Sequence, residues 1–166
     1  ERSLRFTNDR KTLKEKMSQT RNIQKVLIAN RGEIAVRVIR TCKKLGIATV
    51  AIYSEVDRKS RHVRMADQAF CVGPGPSSES YLRMEYIIEI SKENGVDAIH
   101  PGYGFLSENA VFANRLKEEG IILIGPSAEA MEVMGSKLAS KAAVAKNNVP
   151  LVPGVDHAVE DPEEAK

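Results

Sequence analysis

Between His100 and Asn109 the chain reads His-Pro-Gly-Tyr-Gly-Phe-Leu-Ser-Glu-Asn, placing an imidazole, a phenol, a hydroxyl and a carboxylate on one short segment. Pro101 fixes one backbone angle, and Gly102 and Gly104 admit conformations or close approaches closed to other residues, so Tyr103 is held between them. The segment follows a mostly apolar strand candidate, Val96 to Ile99. Loops at the carboxyl ends of strands are where ligands bind in an open α/β sheet. Composition alone supports a plainer reading equally well: a tight strand-to-helix turn with Phe105 and Leu106 tucked into the core, since Gly and Pro punctuate most loops.

Other reactive side chains fit familiar chemistries poorly. Ser107 and Glu108 lie near His100, yet there is no Gly-x-Ser-x-Gly elbow and no evident acid to orient the histidine. His100 ends an apolar strand and reads as a partly buried structural histidine. His62, His100 and His157 are too far apart in sequence to form ligand spacing with each other. Cys42 falls inside a helical pattern and Cys71 at the end of a short apolar run, so both read as reduced structural thiols. Lys137 opens a helix, where its charge opposes the dipole unless an anion is near. It either reaches a phosphate or is an ordinary solvated charge.

Nucleotide-binding signatures are missing. The turn after the first strand holds only Gly32, where a dinucleotide fold needs Gly-x-Gly-x-x-Gly, and Glu55 past the second strand is a weak stand-in for a ribose-binding acid. Gly135-Ser136-Lys137 lacks the spacing and the preceding strand of a Walker loop. The formal charge of +3 is small and its basic residues are spread through the body, without a basic run interleaved with aromatics, which argues against nucleic acid. No apolar run reaches the roughly 18 residues of a membrane span.

The elements that must position these residues alternate. At 166 residues the chain has the length of one domain, which at that size buries roughly 70% of its unfolded surface. Val26-Leu27-Ile28-Ala29 is an unbroken apolar run of the kind buried on both faces of a parallel sheet. After the turn Asn30-Arg31-Gly32-Glu33, residues Ile34, Ala35, Val38, Ile39, Cys42 and Leu45 recur at helical spacing, and Thr49 to Tyr53 is a second strand. Asp57 is placed to cap a helix over 58–66, and Ala69 to Val72 reads as a strand. The stretch Gly73 to Ser78 leaves no room for regular structure. Ser80 is placed to cap a helix from Tyr81 to Glu93, with Leu82, Ile87, Ile88 and Ile90 on its buried face. A helix over Ser107–Lys117, a strand over Ile121–Ile124 and helices near Ala128–Met134 and Lys137–Asn147 follow. The pattern is that of an α/β fold, a parallel sheet flanked by helices. Residues 1–24 form a basic, hydroxylated extension, and 151–166, rich in Pro and acids, read as a linker leaving a domain that spans 25–150.

From Lys25 to about Gly154, roughly four fifths of the chain, the sequence resembles the N-terminal domain of biotin carboxylase, the ATP-using component of biotin-dependent carboxylases. The resemblance rests on Lys-Val-Leu-Ile-Ala-Asn-Arg-Gly-Glu-Ile-Ala at 25–35, Ala-Ile-His-Pro-Gly-Tyr-Gly-Phe-Leu-Ser-Glu-Asn at 98–109, Ile-Gly-Pro-Ser at 124–127, Met-Gly-Ser-Lys at 134–137 and Val-Pro-Leu-Val-Pro-Gly at 149–154. It implies a Rossmann-like, pre-ATP-grasp fold of three layers. It also implies a half-reaction in which ATP phosphorylates bicarbonate and the resulting carboxyphosphate supplies CO2 to biotin on a carrier domain, with Mg2+ (or Mn2+) offsetting phosphate charge.

By motif match Lys137 resembles the family lysine that contacts ATP, while Tyr103 and Gly104 resemble residues lining the place where the biotin ureido ring and bicarbonate react. Glu108, in the same block, suits a loop-stabilising hydrogen bond better than acid–base work, and His100 is a further candidate for loop support. Arg37 and Arg40 match arginines at a bacterial homodimer interface, although Lys44 stands where those relatives often have an acid. The family's glycine-rich lid, metal carboxylates and bicarbonate-binding arginine lie downstream of residue 166, so no catalytic or metal-ligating residue is assigned in this stretch. It is expected to fold without catalysing and to bind none of these cofactors by itself. The implied partners are the biotin carboxyl carrier domain and a carboxyltransferase subunit, in the cytoplasm of a bacterium or the mitochondrial matrix of a eukaryote. Acyl-CoA carboxylases are the first expectation for the parent protein, with pyruvate or urea carboxylase, and a non-catalytic assembly module, as alternatives.

Overall fold

The computed structural model describes residues 22–145 and 150. The expected extension, apart from residues 22–24, and the expected linker over 151–166 lie outside the described residues, as do His157 and the side chain of Lys137. Five strands, β1 (Lys25–Ile28), β2 (Ala48–Ser54), β3 (Gln68–Gly73), β4 (Ala98–His100) and β5 (Ile122–Leu123), form one parallel sheet in the order β3-β2-β1-β4-β5. Helices α1 (Gly32–Lys44), α2 (Arg61–Met65), α3 (Met84–Glu93), α4 (Ala110–Glu118), α5 (Ala128–Gly135) and α6 (Lys137–Ala145) connect and extend it.

Successive side chains of a strand point to opposite faces, and β1 shows what this does to an all-apolar strand. Val26 and Ile28 pack with Ala35, Val38, Ile39 and Cys42 of α1 on one face. Leu27 packs on the other face with Ile87, Ile88 and Ile90 of α3 and Phe112 and Leu116 of α4. The result is the three-layer α/β arrangement, with its core on both sides of the central strand. No helix among the described residues is long and apolar enough to cross a membrane.

Several boundaries differ from the sequence reading because side chains had other work. β4 begins at Ala98, in register with Val26. Asp97 before it turns its carboxylate to the backbone N–H groups of Gln24 and Lys25, at 2.8 and 2.9 Å, and closes the entry to β1. Helix α3 starts at Met84, because Tyr81 is drawn into the core by its hydroxyl. Ser80 donates to the carbonyl of Pro76 at 2.7 Å and does not cap α3, and Leu82 is exposed. The stretch expected to lack regular structure runs into a 3-10 turn over Ser77–Glu79. Helix α4 starts at Ala110, capped by Asn109, whose Oδ1 accepts from the Phe112 N–H at 2.9 Å. The helix expected over 58–66 is cut to Arg61–Met65 behind a 3-10 turn at Glu55–Asp57, because Asp57 faces inward and Ser60 takes the N-cap position.

Candidate functional site

The strand order reverses between β1 and β4, so the loops that follow these neighbouring strands part to opposite faces and open a crevice at their carboxyl ends. The β1 loop, Ala29-Asn30-Arg31, and the β4 loop, residues 101–109, are the walls. They are stitched together directly: the Ala29 N–H donates to the His100 carbonyl at 2.9 Å. Asn30, only 3% exposed, then donates from Nδ2 to the carbonyls of Pro101 and Tyr103, both at 2.8 Å, while its Oδ1 accepts from the Arg31 N–H at 2.9 Å. One buried amide therefore satisfies backbone groups on both walls, and a buried backbone carbonyl left unpaired would be costly.

The two glycines of the loop share φ 67° but not a reason. A Cβ on Gly102 would stand 2.8 Å from Asn30 Nδ2 and 3.1 Å from Ile34 Cγ1, whereas one on Gly104 would meet nothing within 4 Å. Gly102 lets the backbone pass against Asn30. Gly104 faces open space, which leaves its backbone accessible from the crevice. His100 Nδ1 accepts from the Gly102 N–H at 3.0 Å, so the neutral ring carries its proton on Nε2. Burial pushes the His100 pKa below its ordinary value and favours that neutral form.

Tyr103 stands out from this frame, 63% exposed, with its hydroxyl 3.4 Å from Glu33 Oε2 on the first turn of α1. The loop-stabilising bond expected of Glu108 is not found: it is exposed, and among the described residues it has no hydrogen-bond partner. Asn109, next to it, makes the cap instead, and the Ser107 N–H closes the turn onto the Gly104 carbonyl at 2.9 Å. Leu106 is buried and Phe105 half-buried against the core, so the segment is at once a packed turn and an exposed platform.

Arg37 and Arg40 lie on the exposed face of α1 and, with Glu33, Lys44 and Arg61, border a shallow depression beside the crevice. Lys137 begins α6 after Ser136, whose Oγ accepts from the Ala139 N–H at 3.3 Å. The structure thus gathers His100, Tyr103, Gly104 and Glu33 at the crevice, with the two arginines further along the same helix as Glu33.

Asn30, Arg31, Asp57 and Tyr81 were not singled out as site residues: Asp57 read as a helix cap and Tyr81 as a helix start. Asn30 and Arg31 lay in a quoted block but read only as a turn, and no local signal marks Asp57 or Tyr81 as neighbours of the loop.

An open, doubly wound parallel sheet with loops converging at its switch point is the α/β architecture on which ligand sites are commonly built. The chain belongs to the family of the biotin carboxylase N-terminal domain, whose profile matches residues 22–131. It is 61% identical over 142 residues to a biotin carboxylase of Halalkalibacterium halodurans, covering 86% of this chain and 31% of that protein. It is 55% identical to the mitochondrial propionyl-CoA carboxylase alpha chain of Homo sapiens, covering 87% of this chain and 20% of the relative. Among solved structures, the biotin carboxylase domain dimer of the Hydrogenobacter thermophilus 2-oxoglutarate carboxylase, in complex with MgADP, ADP and bicarbonate, superposes with a TM-score of 0.83 at 51% identity, covering 88% of this chain and 32% of that one. The chain thus spans between a fifth and a third of the length of these relatives.

Proposed function

We propose that this chain is the first region of an ATP-dependent biotin carboxylase, a ligase that uses ATP and bicarbonate to carboxylate biotin on a carrier domain, within an acyl-CoA carboxylase. The observation that carries the reading is the crevice loop: Tyr103 and Gly104 stand exposed on a frame fixed by Asn30, in a chain 61% identical to a biotin carboxylase. In this reading Tyr103 offers a flat face and a hydroxyl to the ureido ring, Gly104 offers accessible backbone, and His100 supports the loop through Gly102. Lys137 reaches ATP from the start of α6. Arg37 and Arg40 contribute to a homodimer, as is consistent with the dimeric 2-oxoglutarate carboxylase domain.

The acyl-CoA assignment is supported by 55% identity to a propionyl-CoA carboxylase alpha chain and 56% to a methylcrotonoyl-CoA carboxylase subunit alpha of Mus musculus. A pyruvate carboxylase biotin carboxylase subunit at 54% keeps that acceptor as the second reading. The chemistry Mg2+ supplies to such a site is neutralisation of phosphate charge. Among the described residues no group of three or more His, Cys, Asp or Glu is arranged to hold a metal; it is the family resemblance that assigns its ligands, like the carrier and carboxyltransferase partners, to other parts of the parent protein. The setting is the mitochondrial matrix or the bacterial cytoplasm, in keeping with mitochondrial and bacterial relatives.

Bicarbonate-dependent ATP hydrolysis with free biotin, measured on the 166-residue stretch and on its full-length parent, tests this. The expected result is activity in the parent alone. A folded parent with no such activity would shift the assignment to an assembly module.

A further inference from the structure

Phe105 is the one non-glycine among the described residues in the left-handed region, at φ 47°. An L side chain rarely adopts this conformation, and it persists only where its surroundings hold it. What surrounds it is a closed ring of contacts. The Phe105 ring stacks on Tyr81, with centroids 5.1 Å apart and planes inclined by 16°. The Arg31 guanidinium lies over both rings, 5.4 Å from the Tyr81 centroid and 5.7 Å from that of Phe105, within the range of a cation–π attraction. Arg31 is in turn bonded to Asp57 Oδ2 at 3.2 Å, and the same oxygen accepts from the Tyr81 hydroxyl at 2.7 Å.

Asp57 is the hub of this arrangement. Its Oδ2 also accepts from Ser54 Oγ at 3.1 Å and its Oδ1 from Ser60 Oγ at 3.3 Å, while the Ser54 N–H donates to the Tyr81 hydroxyl at 3.0 Å. Burial by itself pushes the Asp57 carboxyl up, but the bonds from Tyr81, Arg31 and Ser54 and the Arg31 charge outweigh it and hold the group below its ordinary value. The carboxylate is therefore ionised while it grips Arg31. A partly buried polar cluster of this kind, with Arg31 on its exposed side, could serve stability alone. Its place in the chain argues for more: Phe105 directly follows Gly104, and Arg31 directly follows Asn30, whose amide holds the Tyr103 carbonyl. Residues adjacent to both supports of the crevice loop thus run back to one carboxylate.

We infer that Asp57 is a positioning residue for the crevice loop: through Arg31 and the Tyr81–Phe105 stack it holds Phe105 in its left-handed conformation and so sets where Gly104 and Tyr103 face. The effect on catalysis rests on the reading of that loop as the face for biotin and bicarbonate. Asp57 touches no substrate in this scheme. It acts on the reaction only by fixing the backbone on which the substrate-facing groups stand.

The test uses the full-length parent with free biotin. Asp57→Asn keeps the shape and removes the charge, and should raise the KM for biotin about tenfold while that for ATP changes less than about twofold. Phe105→Leu should give the same pattern, and the double variant little more than either single change, because both break one linked unit. Where Asp57→Asn does not fold, Tyr81→Phe, which keeps the ring and removes only its hydroxyl, should raise the biotin KM about threefold. An unchanged biotin KM, additive effects, or KM values for both substrates that rise together with loss of melting temperature would overturn the inference. A wild-type parent that does not carboxylate biotin defeats the functional reading instead. The positioning role is then judged by amide hydrogen exchange over residues 101–109, which it requires to be faster in Asp57→Asn and which, if equal in the two proteins, rules it out.

Discussion

The crevice loop and the α5–α6 end of the molecule both carry residues proposed to face substrates, but they are built on opposite terms. Residues 101–109 are sewn to the central strand by Asn30 and stacked against the core through Phe105. Helix α5 rests on a small cluster of Ala113, Ala128 and Met131, with Val133 and Met134 exposed and its first turn held by Ser127 Oγ accepting from the Ala130 N–H at 3.2 Å. Its neighbouring strand β5 is only two residues long. Tyr103 thus stands on a backbone held by buried polar contacts. The segment leading to Lys137 is held mainly by helix caps and a thin apolar contact, so its position depends less on the core.

The sharpest way to break that contrast is Gly102→Ala. The added methyl would need φ 67° and would press on Asn30 Nδ2 at 2.8 Å, so we expect a loss of about 2–4 kcal/mol in urea unfolding. A loss no greater than that of Gly104→Ala would show that the close approach to Asn30 does not constrain the loop. Asn30→Ala should come next, at about 1–3 kcal/mol, since it strips two loop carbonyls of their donor. Its exchange signature should be confined to residues 101–109 and the β1 turn. Gly104→Ala meets no neighbour and should cost only the left-handed backbone preference, about 1 kcal/mol. Ser127→Ala should cost about 1 kcal/mol or less and speed amide exchange in α5 without touching the crevice loop. If it does reach the loop, the two regions are not independent.

A smaller effect, in α2 and outside both regions, depends on pH. His62 is fully buried, its Nε2 paired with the Ile52 carbonyl at 3.2 Å and its Nδ1 without a hydrogen-bond partner among the described residues. Burial lowers its pKa below the ordinary 6.5. The unfolded chain therefore binds a proton that the folded chain does not. The stabilising contribution is fully present above about pH 6.5 and is lost as pH falls from there through the depressed folded value. His62→Gln should flatten this limb of the stability profile while leaving the alkaline side unchanged. An unaltered acid limb would mean that another group, such as half-buried His100, controls it.

Much of the fold was legible because its signals are local. The apolar run of β1 and the helical spacing of α1 carry their own burial pattern, and the alternation of elements is enough to imply a parallel sheet. The boundaries that moved did so where a polar side chain took another partner: Asp57, Tyr81 and Asp97 meet groups far along the chain, and Ser80 turns back to the Pro76 carbonyl. At the site, Tyr103 and Gly104 were visible through composition and through the block they share with a known family. Asn30 and Asp57 were not, because what makes them matter is a pair of carbonyls 71 and 73 residues away and a ring 24 residues away. Spacing along one chain does not encode such meetings.

The central claim is that the crevice loop is the face at which biotin reacts. Tyr103→Ala in the full-length parent tests it most directly, because the side chain is exposed and its removal should leave the Asn30 frame intact. We predict a loss of biotin carboxylation of about tenfold or more, with the KM for ATP and the melting temperature unchanged. Equal losses in ATP use, carboxylation and thermal stability, or no loss in any of them, would contradict the account.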